Sequence, residues 1–321
     1  MKRMTRPRRK MMSLDVRWNQ LLGTNAGQFF QRVDETHPLD IYIGKEASGE
    51  PALLLVTDKK PPPSHEYQAI HFLSRTRSDH RWAVVFKLVK PELVKVFFLL
   101  CDDLVESCRK VIAGEDPVAR LMSRFTRWQR LLDRGHDGLL PEPALRGLMG
   151  ELLFMLHRIL PLRDPLTAIT AWTGPMGGDQ DFSFSDHLHE VKTMRTGAST
   201  IQISSAEQMD VTSIPIDLAV VTLDDADASA QGTITPLTLV KSLTDMLEPF
   251  PDAADLFESR LIEAGFVRRE EYGNRHYVHR GIREFSITPE FPAIVRSRLP
   301  TGIGKVSYEV ELASCDAFEL N

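Results

Sequence analysis

Two tripeptides in the sequence place a lysine two positions after an acidic residue, a spacing that recurs where metal ions assist phosphodiester cleavage. They are Asp58-Lys59-Lys60 and Glu190-Val191-Lys192. With 44 acidic residues and 12 lysines in 321 positions, chance alone gives roughly 1.6 such tripeptides. The spacing therefore says nothing about function until the surrounding residues are considered.

The surrounding residues favour the second tripeptide. The first runs into three prolines at 61–63, which cannot donate to a sheet ladder. The second follows Asp181-Phe182-Ser183-Phe184 across a short polar turn, which predicts a β-hairpin. An even-length turn would place 181 opposite 192 and 183 opposite 190. Because strand side chains alternate between faces, the polar and the apolar side chains would then separate. The polar face would carry Asp181, Ser183, Glu190 and Lys192, and the buried face Phe182, Phe184 and Val191.

The polar face could support metal-ion catalysis. Carboxylate and carbonyl oxygens suit a hard Mg²⁺ ion, for which Mn²⁺ is the expected substitute, and the predicted ligands are Asp181, Glu190 and the Val191 carbonyl. A bound ion lowers the pKa of a coordinated water and polarises a scissile phosphate. Lys192 would orient or help deprotonate that water and offset charge in the transition state.

A further acid, Glu151, comes from the clearest amphipathic helix of the chain. Leucines recur at helical spacing over 144–160, Pro143 is suited to a first turn, and Pro161 ends the helix. Gly147 and Gly150 would leave room for a close approach to the sheet. Glu151 is therefore predicted to bind a second metal ion or its water; alternatively, it pairs with Arg158 or another surface cation.

The other elements predict an α+β or α/β protein. A further helix is expected over 116–132. Strands are expected at Asp40–Gly44, Pro51–Thr57, Gln68–Leu73, Arg81–Lys90, Leu93–Cys101, Ala168–Trp172, Asp181–Phe184, His189–Thr193, Thr200–Ser204 and Asp217–Thr222. In the last third, Thr235 caps a helix that runs to Leu247, a second helix ends at Gly265, and Gly273-Asn274 predicts a hairpin between 266–272 and 276–279.

These elements divide the chain into four parts: a basic flexible tail at 1–12, a β-rich domain at 13–115, an α/β core at 116–228, and a small winged-helix-like domain at 229–321. The last part carries five arginines that could read DNA as a wing, or form a solvated surface. They are Arg268, Arg269, Arg275, Arg280 and Arg283. The basic tail could contact phosphate, or be an extension from an early start codon.

The composition is that of an ordinary globular protein, with 42% hydrophobic and 26% charged residues and a net charge of −5. Its longest apolar stretch, near 96–101, is far shorter than the roughly 20 residues of a membrane span. Three cysteines without a Cys-x-x-Cys pair favour neither a disulfide framework nor a zinc site. We therefore expect a cytoplasmic protein with no membrane partner.

Several motifs together resemble a family of PD-(D/E)xK nuclease-like proteins that is carried as a domain of unknown function. The motifs are Arg146-Gly147-Leu148-Met149-Gly150-Glu151, Trp172-Thr173-Gly174-Pro175, Asp181-Phe182, His189-Glu190-Val191-Lys192-Thr193, Ile203-Ser204-Ser205-Ala206-Glu207-Gln208, Arg283-Glu284-Phe285, Phe291-Pro292 and Leu299-Pro300-Thr301-Gly302-Ile303. The resemblance covers about 14–312.

The resemblance implies a restriction-endonuclease-like core, a helix, mixed sheet and helix, that hydrolyses DNA with Mg²⁺. It also implies a supporting role for Gln208, on a helix after the third strand, and leaves Asp179 as a rival to Asp181, since Gln180 replaces the usual proline. Members resemble components of prokaryotic restriction or phage-defence gene clusters, so ATPase or methyltransferase subunits and a homodimer are expected partners.

Two other functions remain open. The chain could be a non-catalytic nucleic-acid-binding or scaffolding subunit that keeps the nuclease fold, which its acidity favours. It could also be a small-molecule phosphoesterase, which would need an enclosed pocket. His187 and His189 lie near the proposed site, either as metal ligands or as residues of a turn and of cross-strand packing.

Overall fold

A computed structural model describes residues 17–18, 20–21, 23, 27–67, 69–109, 116–133, 139–211 and 214–320, with only the backbone at 127 and 129–133. The basic tail predicted at 1–12 lies outside these residues. Contacts divide the chain into two units that meet at 138/139. This boundary differs from the predicted ones at 115/116 and 228/229. The helix at 117–133 packs in the first unit, and residues 229–321 pack with residues 139–228 in the second.

Six strands among the described residues of the first unit form an antiparallel sheet. Its strands lie in the order β1-β2-β3-β6-β5-β4. They are β1 (Phe29–Arg32), β2 (Asp40–Lys45), β3 (Pro51–Thr57), β4 (His65–Glu66), β5 (Ile70–Thr76) and β6 (Trp82–Leu88). The sheet confirms the predicted strands between 40 and 90. Asp58, Lys59 and Lys60 are exposed in the bend after β3, so this acid-lysine tripeptide is a surface feature.

Among the described residues, this unit also contains the long helices α1 (Val94–Ser107) and α2 (Pro117–Asp133). The strand predicted at Leu93–Cys101 is therefore wrong. Its apolar residues continue at helical spacing, and Val96, Leu100 and Leu104 are all buried on one side of α1. Helix α2 is confirmed near its predicted bounds, but it belongs to this unit, because its Arg124 binds Asp103 of α1 at 2.5 Å.

A five-stranded mixed sheet forms the centre of the second unit, in the order β11-β12-β10-β8-β7. Among the described strands of this sheet, β8 and β10 are the one parallel pair. A separate two-stranded sheet pairs β9 with β13. The strands are β7 (Phe182–Ser183), β8 (Leu188–Met194), β9 (Thr200–Ile203), β10 (Ile216–Asp225), β11 (Thr233–Ile234), β12 (Tyr277–Ser286) and β13 (Tyr308–Glu311).

The helices of the second unit are α3 (Glu142–Phe154), α4 (Pro165–Ala171), α5 (Pro236–Leu247) and α6 (Pro251–Glu263). Together they cover one face of the mixed sheet in a single hydrophobic core. A π-helical turn, Met155–Ile159, extends α3 to near its predicted end. The strand predicted at 168–172 is wrong. Asp164 caps α4 by accepting a hydrogen bond from the Thr167 N–H at 3.0 Å, and Pro165 occupies the first turn.

The carboxy-terminal third belongs to the same sheet and cores as residues 139–228. The predicted hairpin is absent from the described residues, because Gly273 and Asn274 lie in a 3₁₀ turn, Glu270–Asn274, and β12 pairs with β10 and β11. Burial of Tyr277 and Phe285 explains why β12 joins the sheet. No separate winged-helix-like unit is therefore found at 229–321 within the described structure.

The five arginines predicted as a DNA-reading wing each pair with a carboxylate. The pairs are Arg268 with Glu258, Arg269 with Glu271, Arg275 with Glu142, Arg280 with Asp224, and Arg283 with both Asp316 and Glu319. These pairs favour the interpretation as a solvated surface. Within the described part of the chain, no helix has the length and apolar character needed to cross a membrane.

Candidate active site

The short antiparallel pairing of β7 with β8 positions the acid-lysine tripeptide. Phe182 lies opposite His189, and Ser183 lies opposite Leu188. This register differs by two residues from the predicted one. Because side chains alternate with a period of two, the shift leaves every residue on its predicted face. Phe182 is fully buried in the helix-covered core, and Asp181 and Glu190 come to face each other next to it.

Asp181 continues this pairing with its side chain. Beyond His189, β7 provides no further backbone partner, and Asp181 Oδ2 accepts a hydrogen bond from the Val191 N–H at 2.8 Å. The Asp181 carbonyl in turn accepts hydrogen bonds from the N–H groups of Thr173 and Gly174 at 2.8 and 3.0 Å. Asp181 is therefore held at both its backbone and its carboxylate. The rival ligand Asp179 is exposed.

Glu190 and Lys192 form the next part of the site. The Lys192 Nζ lies 2.6 Å from Glu190 Oε1 and donates to Gln208 Oε1 at 3.2 Å. That same Gln208 oxygen accepts from the Ser204 N–H at 2.9 Å. Gln208 lies in a 3₁₀ turn, Glu207–Met209, rather than on the predicted helix, and still reaches the lysine. Glu190 Oε2 is buried without a hydrogen-bond partner among the described residues.

Glu151 reaches the same place from helix α3. Its Oε2 accepts a hydrogen bond from Trp172 Nε1 at 2.7 Å. The surface pair with Arg158 that the sequence left open is not formed, because Arg158 binds Glu284 at 2.6 Å. Trp172 is a site residue that sequence reasoning missed; it stands in the Trp172-Thr173-Gly174-Pro175 motif, which could have drawn attention to it.

Gly174 leaves a small gap between two of the acids. A Cβ atom at this position would lie 2.7 Å from Asp181 Oδ1 and 3.0 Å from Glu151 Oε2. Any side chain there would enter the space between the two carboxylates. The glycine therefore keeps open a cradle that is lined by carboxylate oxygens.

Burial raises the pKa of all three carboxyl groups. Glu190 is 1% exposed, and its burial, reinforced by Asp181, raises its pKa to about 8 even though Lys192 is adjacent. Burial likewise raises the pKa of Asp181 and, together with the Asp181 charge, raises that of Glu151 well above its usual range. Glu151 and Asp181 retain some exposed surface, but their carboxyl groups are enclosed. One ammonium group offsets only part of this negative charge, so the cluster favours a further cation.

The approach of α3 to the sheet depends on Gly150. A Cβ there would lie 1.9 Å from Thr193 Oγ1 on β8, which confirms the predicted close approach at this position. The same prediction is wrong for Gly147, where a Cβ would meet no atom within 4 Å. Of the two helical glycines, only Gly150 sets the distance between Glu151 and the strand.

We expect Gly150→Ala to lower the free energy of unfolding by roughly 2 kcal/mol, because the added methyl group overpacks the contact between α3 and β8. Urea unfolding measures this change. Gly147→Ala is the matched control, and should be neutral or stabilising by up to about 1 kcal/mol, since it replaces a helical glycine in open space. Adding Thr193→Ala should recover much of the loss. Equal effects of the two glycine substitutions would contradict the packing argument.

His187 and His189 lie apart from the carboxylate cluster, which consists of Glu151, Asp181 and Glu190. His189 is on the face of β8 that α3 covers, with the Phe154 ring 5.3 Å away, whereas Glu190 and Lys192 point to the other face. His187 Nε2 lies 2.7 Å from Asp217 Oδ2. Within the described part of the chain, His187, His189 and Asp217 are the one set of three metal-ligating side chains whose ligand atoms are all within 4.8 Å of one another.

Comparison with known proteins agrees with the resemblance in the motifs. A family model described as "Putative PD-(D/E)XK family member, (DUF4420)" matches residues 14–313. No curated protein and no solved structure matches the chain. The matched range contains every residue of the carboxylate cluster and nearly the whole of the sequence. The chain therefore belongs to this PD-(D/E)XK family.

Proposed function

We propose that the chain is a Mg²⁺-dependent endonuclease that hydrolyses phosphodiester bonds in DNA. The observation that carries this proposal is that several buried carboxyl groups lie next to one ammonium group, beside the part of β8 that β7 does not pair with. The groups come from four separate segments of the chain: Glu151 from α3, Asp181 from the start of the hairpin, Glu190 and Lys192 from β8, and Gln208 from the turn after β9.

The residues present fit a hard divalent cation. Asp181 and Glu190 would hold it, with Glu151 next to them; the Val191 carbonyl is the further ligand predicted from the sequence. Support comes from the cradle at Gly174 and from the buried Glu190 Oε2, which has no partner among the described residues. The three acids are spread more widely than the histidine set, but one or two carboxylates suffice for Mg²⁺, which keeps several waters. When bound, the ion would supply Lewis-acid activation of the phosphate and of a water.

Lys192 supplies the positive charge that the chain itself brings to the reaction. Glu190 and Gln208 hold its Nζ from two sides, so the ammonium is oriented before substrate arrives. A preoriented ammonium can hold the attacking water by a hydrogen bond and stabilise charge on the phosphate oxygens. Gln208 acts through Lys192 and is a positioning residue.

Glu151, held by Trp172, is the third carboxyl group of the proposed site. The indole N–H holds the Glu151 carboxylate toward Asp181, so that Glu151 can accept a hydrogen bond from a water between them. The buried indole also limits the access of bulk water to this carboxylate, since Trp172 is fully buried. A water held there would be positioned and its proton accepted by protein oxygens.

A DNA cleavage assay tests the proposal. Purified full chain is incubated with plasmid, modified and phage DNA and with Mg²⁺ or Mn²⁺, and nicked and linear products are quantified. We expect metal-dependent cleavage that falls at least about a hundredfold in Lys192→Ala, because the oriented charge is lost. Lys60→Ala, in the exposed acid-lysine tripeptide, is the matched control and should cut normally. Cleavage that survives Lys192→Ala overturns the assignment.

The biological setting that we propose, a prokaryotic restriction or phage-defence system with ATPase or methyltransferase partners, rests on the family resemblance alone. The second candidate is a non-catalytic DNA-binding or scaffolding subunit. The net charge of −5 and the carboxylate pairing of the five arginines favour its scaffolding form, since DNA binders usually present a basic face. DNA binding that is unaffected by Asp181→Ala, with no cleavage even beside its genomic neighbours, would support this second candidate.

A further inference from the structure

A second group of metal-ligating side chains lies where the parallel strands β8 and β10 begin. His189 and Asp217 are register partners in the two strands, and His187 precedes His189 by two residues, so all three point to the face that α3 covers. His187 Nε2 is 2.7 Å from Asp217 Oδ2, and the two imidazole rings are 4.8 Å apart. The fold thus gathers two imidazoles and one carboxylate from two strands and a turn.

The surroundings of this group are largely apolar. The rings of Phe154 and Phe184 lie 5.3 and 6.1 Å from the His189 ring. His189 Nδ1 is buried and has no hydrogen-bond partner among the described residues. The adjacent charged residues Arg163 and Asp186 are paired with each other at 2.8 Å, and the guanidinium lies over the Phe184 ring. Neighbours among the described residues therefore account for the His187–Asp217 contact but leave His189 Nδ1 without a hydrogen-bond partner.

We propose that His187, His189 and Asp217 form a binding site for a transition-metal divalent cation, of which Zn²⁺ is the best match. Two imidazole nitrogens and one carboxylate oxygen are a ligand set that Zn²⁺ and Co²⁺ accept, with a fourth position for water. In tetrahedral zinc coordination the ligand atoms are about 3.3 Å apart, so the His187–Asp217 contact would open by roughly half an ångström. Mg²⁺ prefers oxygen ligands and is not expected to compete.

The site is separate from the carboxylate cluster, and the proposal does not depend on nuclease activity. The ligands come from the turn between β7 and β8, from β8, and from β10, so a bound ion would link this turn to both parallel strands. This turn connects β7, which directly follows Asp181, to β8. Zinc would therefore stabilise the segment that carries Asp181, without itself contacting the reacting phosphate.

Metal titration of the full, tag-free chain tests the proposal. After treatment with EDTA and its removal, Zn²⁺ is titrated by calorimetry in excess Mg²⁺, and Co²⁺ is followed by its visible d–d absorption. We expect one equivalent of Zn²⁺, a cobalt spectrum typical of four-coordinate nitrogen and oxygen ligation, and a rise of several degrees in Tm. His187→Gln and Asp217→Asn should each weaken binding by about a hundredfold.

Two further variants separate this site from other sources of binding. His279→Gln removes one ring of the stacked His157–His279 pair, whose rings are 5.2 Å apart, and should bind zinc normally. Asp181→Asn removes a ligand of the proposed catalytic ion and should also leave zinc binding unchanged, so failure of one proposal is distinguishable from failure of the other. No cobalt spectrum in the wild-type chain, or equal zinc binding in the wild type, His187→Gln and Asp217→Asn, overturns the proposal. If either ligand variant does not fold, the wild-type titration and the remaining variant decide.

Discussion

Replacing Asp181 with asparagine should lower the rate of DNA cleavage at least about a hundredfold, while the protein stays folded. The substitution keeps the size of the side chain and an oxygen that can accept the Val191 N–H, so the end of the β7–β8 pairing is retained. What is lost is the negative charge beside the cradle at Gly174. Cleavage rates at increasing Mg²⁺ and circular dichroism of the same sample measure both parts of this result.

Asp179→Asn is the matched control for this experiment. It makes the same chemical change two residues earlier, at an exposed position. We expect it to cut at the wild-type rate and with the wild-type requirement for Mg²⁺. If Asp179→Asn abolished cleavage and Asp181→Asn did not, the enclosed aspartate would not be the metal ligand, and the rival assignment left by the sequence would be correct.

Glu190→Gln should stabilise the protein above neutral pH when divalent cations are removed by EDTA. The folded-state pKa of Glu190 is raised to about 8, against a usual value of 4.5. Between these values the unfolded chain loses the proton and the folded protein keeps it, so the contribution of Glu190 to stability is fully present below pH 4.5 and is lost as the pH rises toward 8. A shift of this size corresponds to a difference on the order of 5 kcal/mol. Urea unfolding at pH 5, 7 and 9 measures it.

In the Glu190→Gln variant, the loss of stability between pH 5 and pH 9 should be markedly smaller than in the wild type. The residual slope would come from Glu151 and Asp181, whose pKa values burial also raises. Glu309→Gln, an exposed substitution on β13, is the control and should follow the wild-type curve. Adding Mg²⁺ or Mn²⁺ should stabilise the wild type more than Glu190→Gln. If the free energy of unfolding changed equally with pH in the wild type and in Glu190→Gln, the pKa of Glu190 would not be raised by folding.

The most reliable sequence prediction was the face on which each hairpin residue lies. The observed register differs by two residues from the predicted one, yet Asp181, Glu190 and Lys192 still meet, because burial of Phe182 and Val191 determines the face and not the pairing partner. Apolar alternation contains this information. The exact partner depends on turn geometry, which the polar turn residues specify less strongly.

Predictions of element type failed where apolar runs were short. Leu93–Cys101 and Ala168–Trp172 contain residues that suit a buried strand or a buried helix, and periodicity over so few positions does not separate the two. The hairpin around Gly273-Asn274 failed for another reason. Gly273-Asn274 is a sequence that favours a tight turn. However, β12 pairs with β10 and buries Tyr277 and Phe285 in the central sheet, which stabilises the protein more than a local hairpin would. A local sequence pattern contains no information about this long-range pairing.

The residues proposed for the candidate site lie together in the fold, whereas the residues that support them were not singled out from the sequence. Glu151, Asp181, Glu190, Lys192 and Gln208 lie together, whereas Trp172 and Gly174 were noticed only as parts of a motif. No sequence spacing predicts that the Trp172 indole orients a carboxylate or that Gly174 leaves space between two acids. Their roles depend on which residues the folded chain brings next to them.

Strand β7 is only two residues long, and Asp181 occupies with its side chain the position that a third backbone pair would take. A longer hairpin would gain ladder hydrogen bonds, but its main chain would cover the edge of β8 beside Glu190 and Lys192, where we propose that the substrate binds. The shortness of β7 therefore leaves this part of the β8 edge without a main-chain partner. Engineered or natural insertions that lengthen the hairpin should therefore raise the free energy of unfolding and prevent the carboxyl groups from contacting DNA.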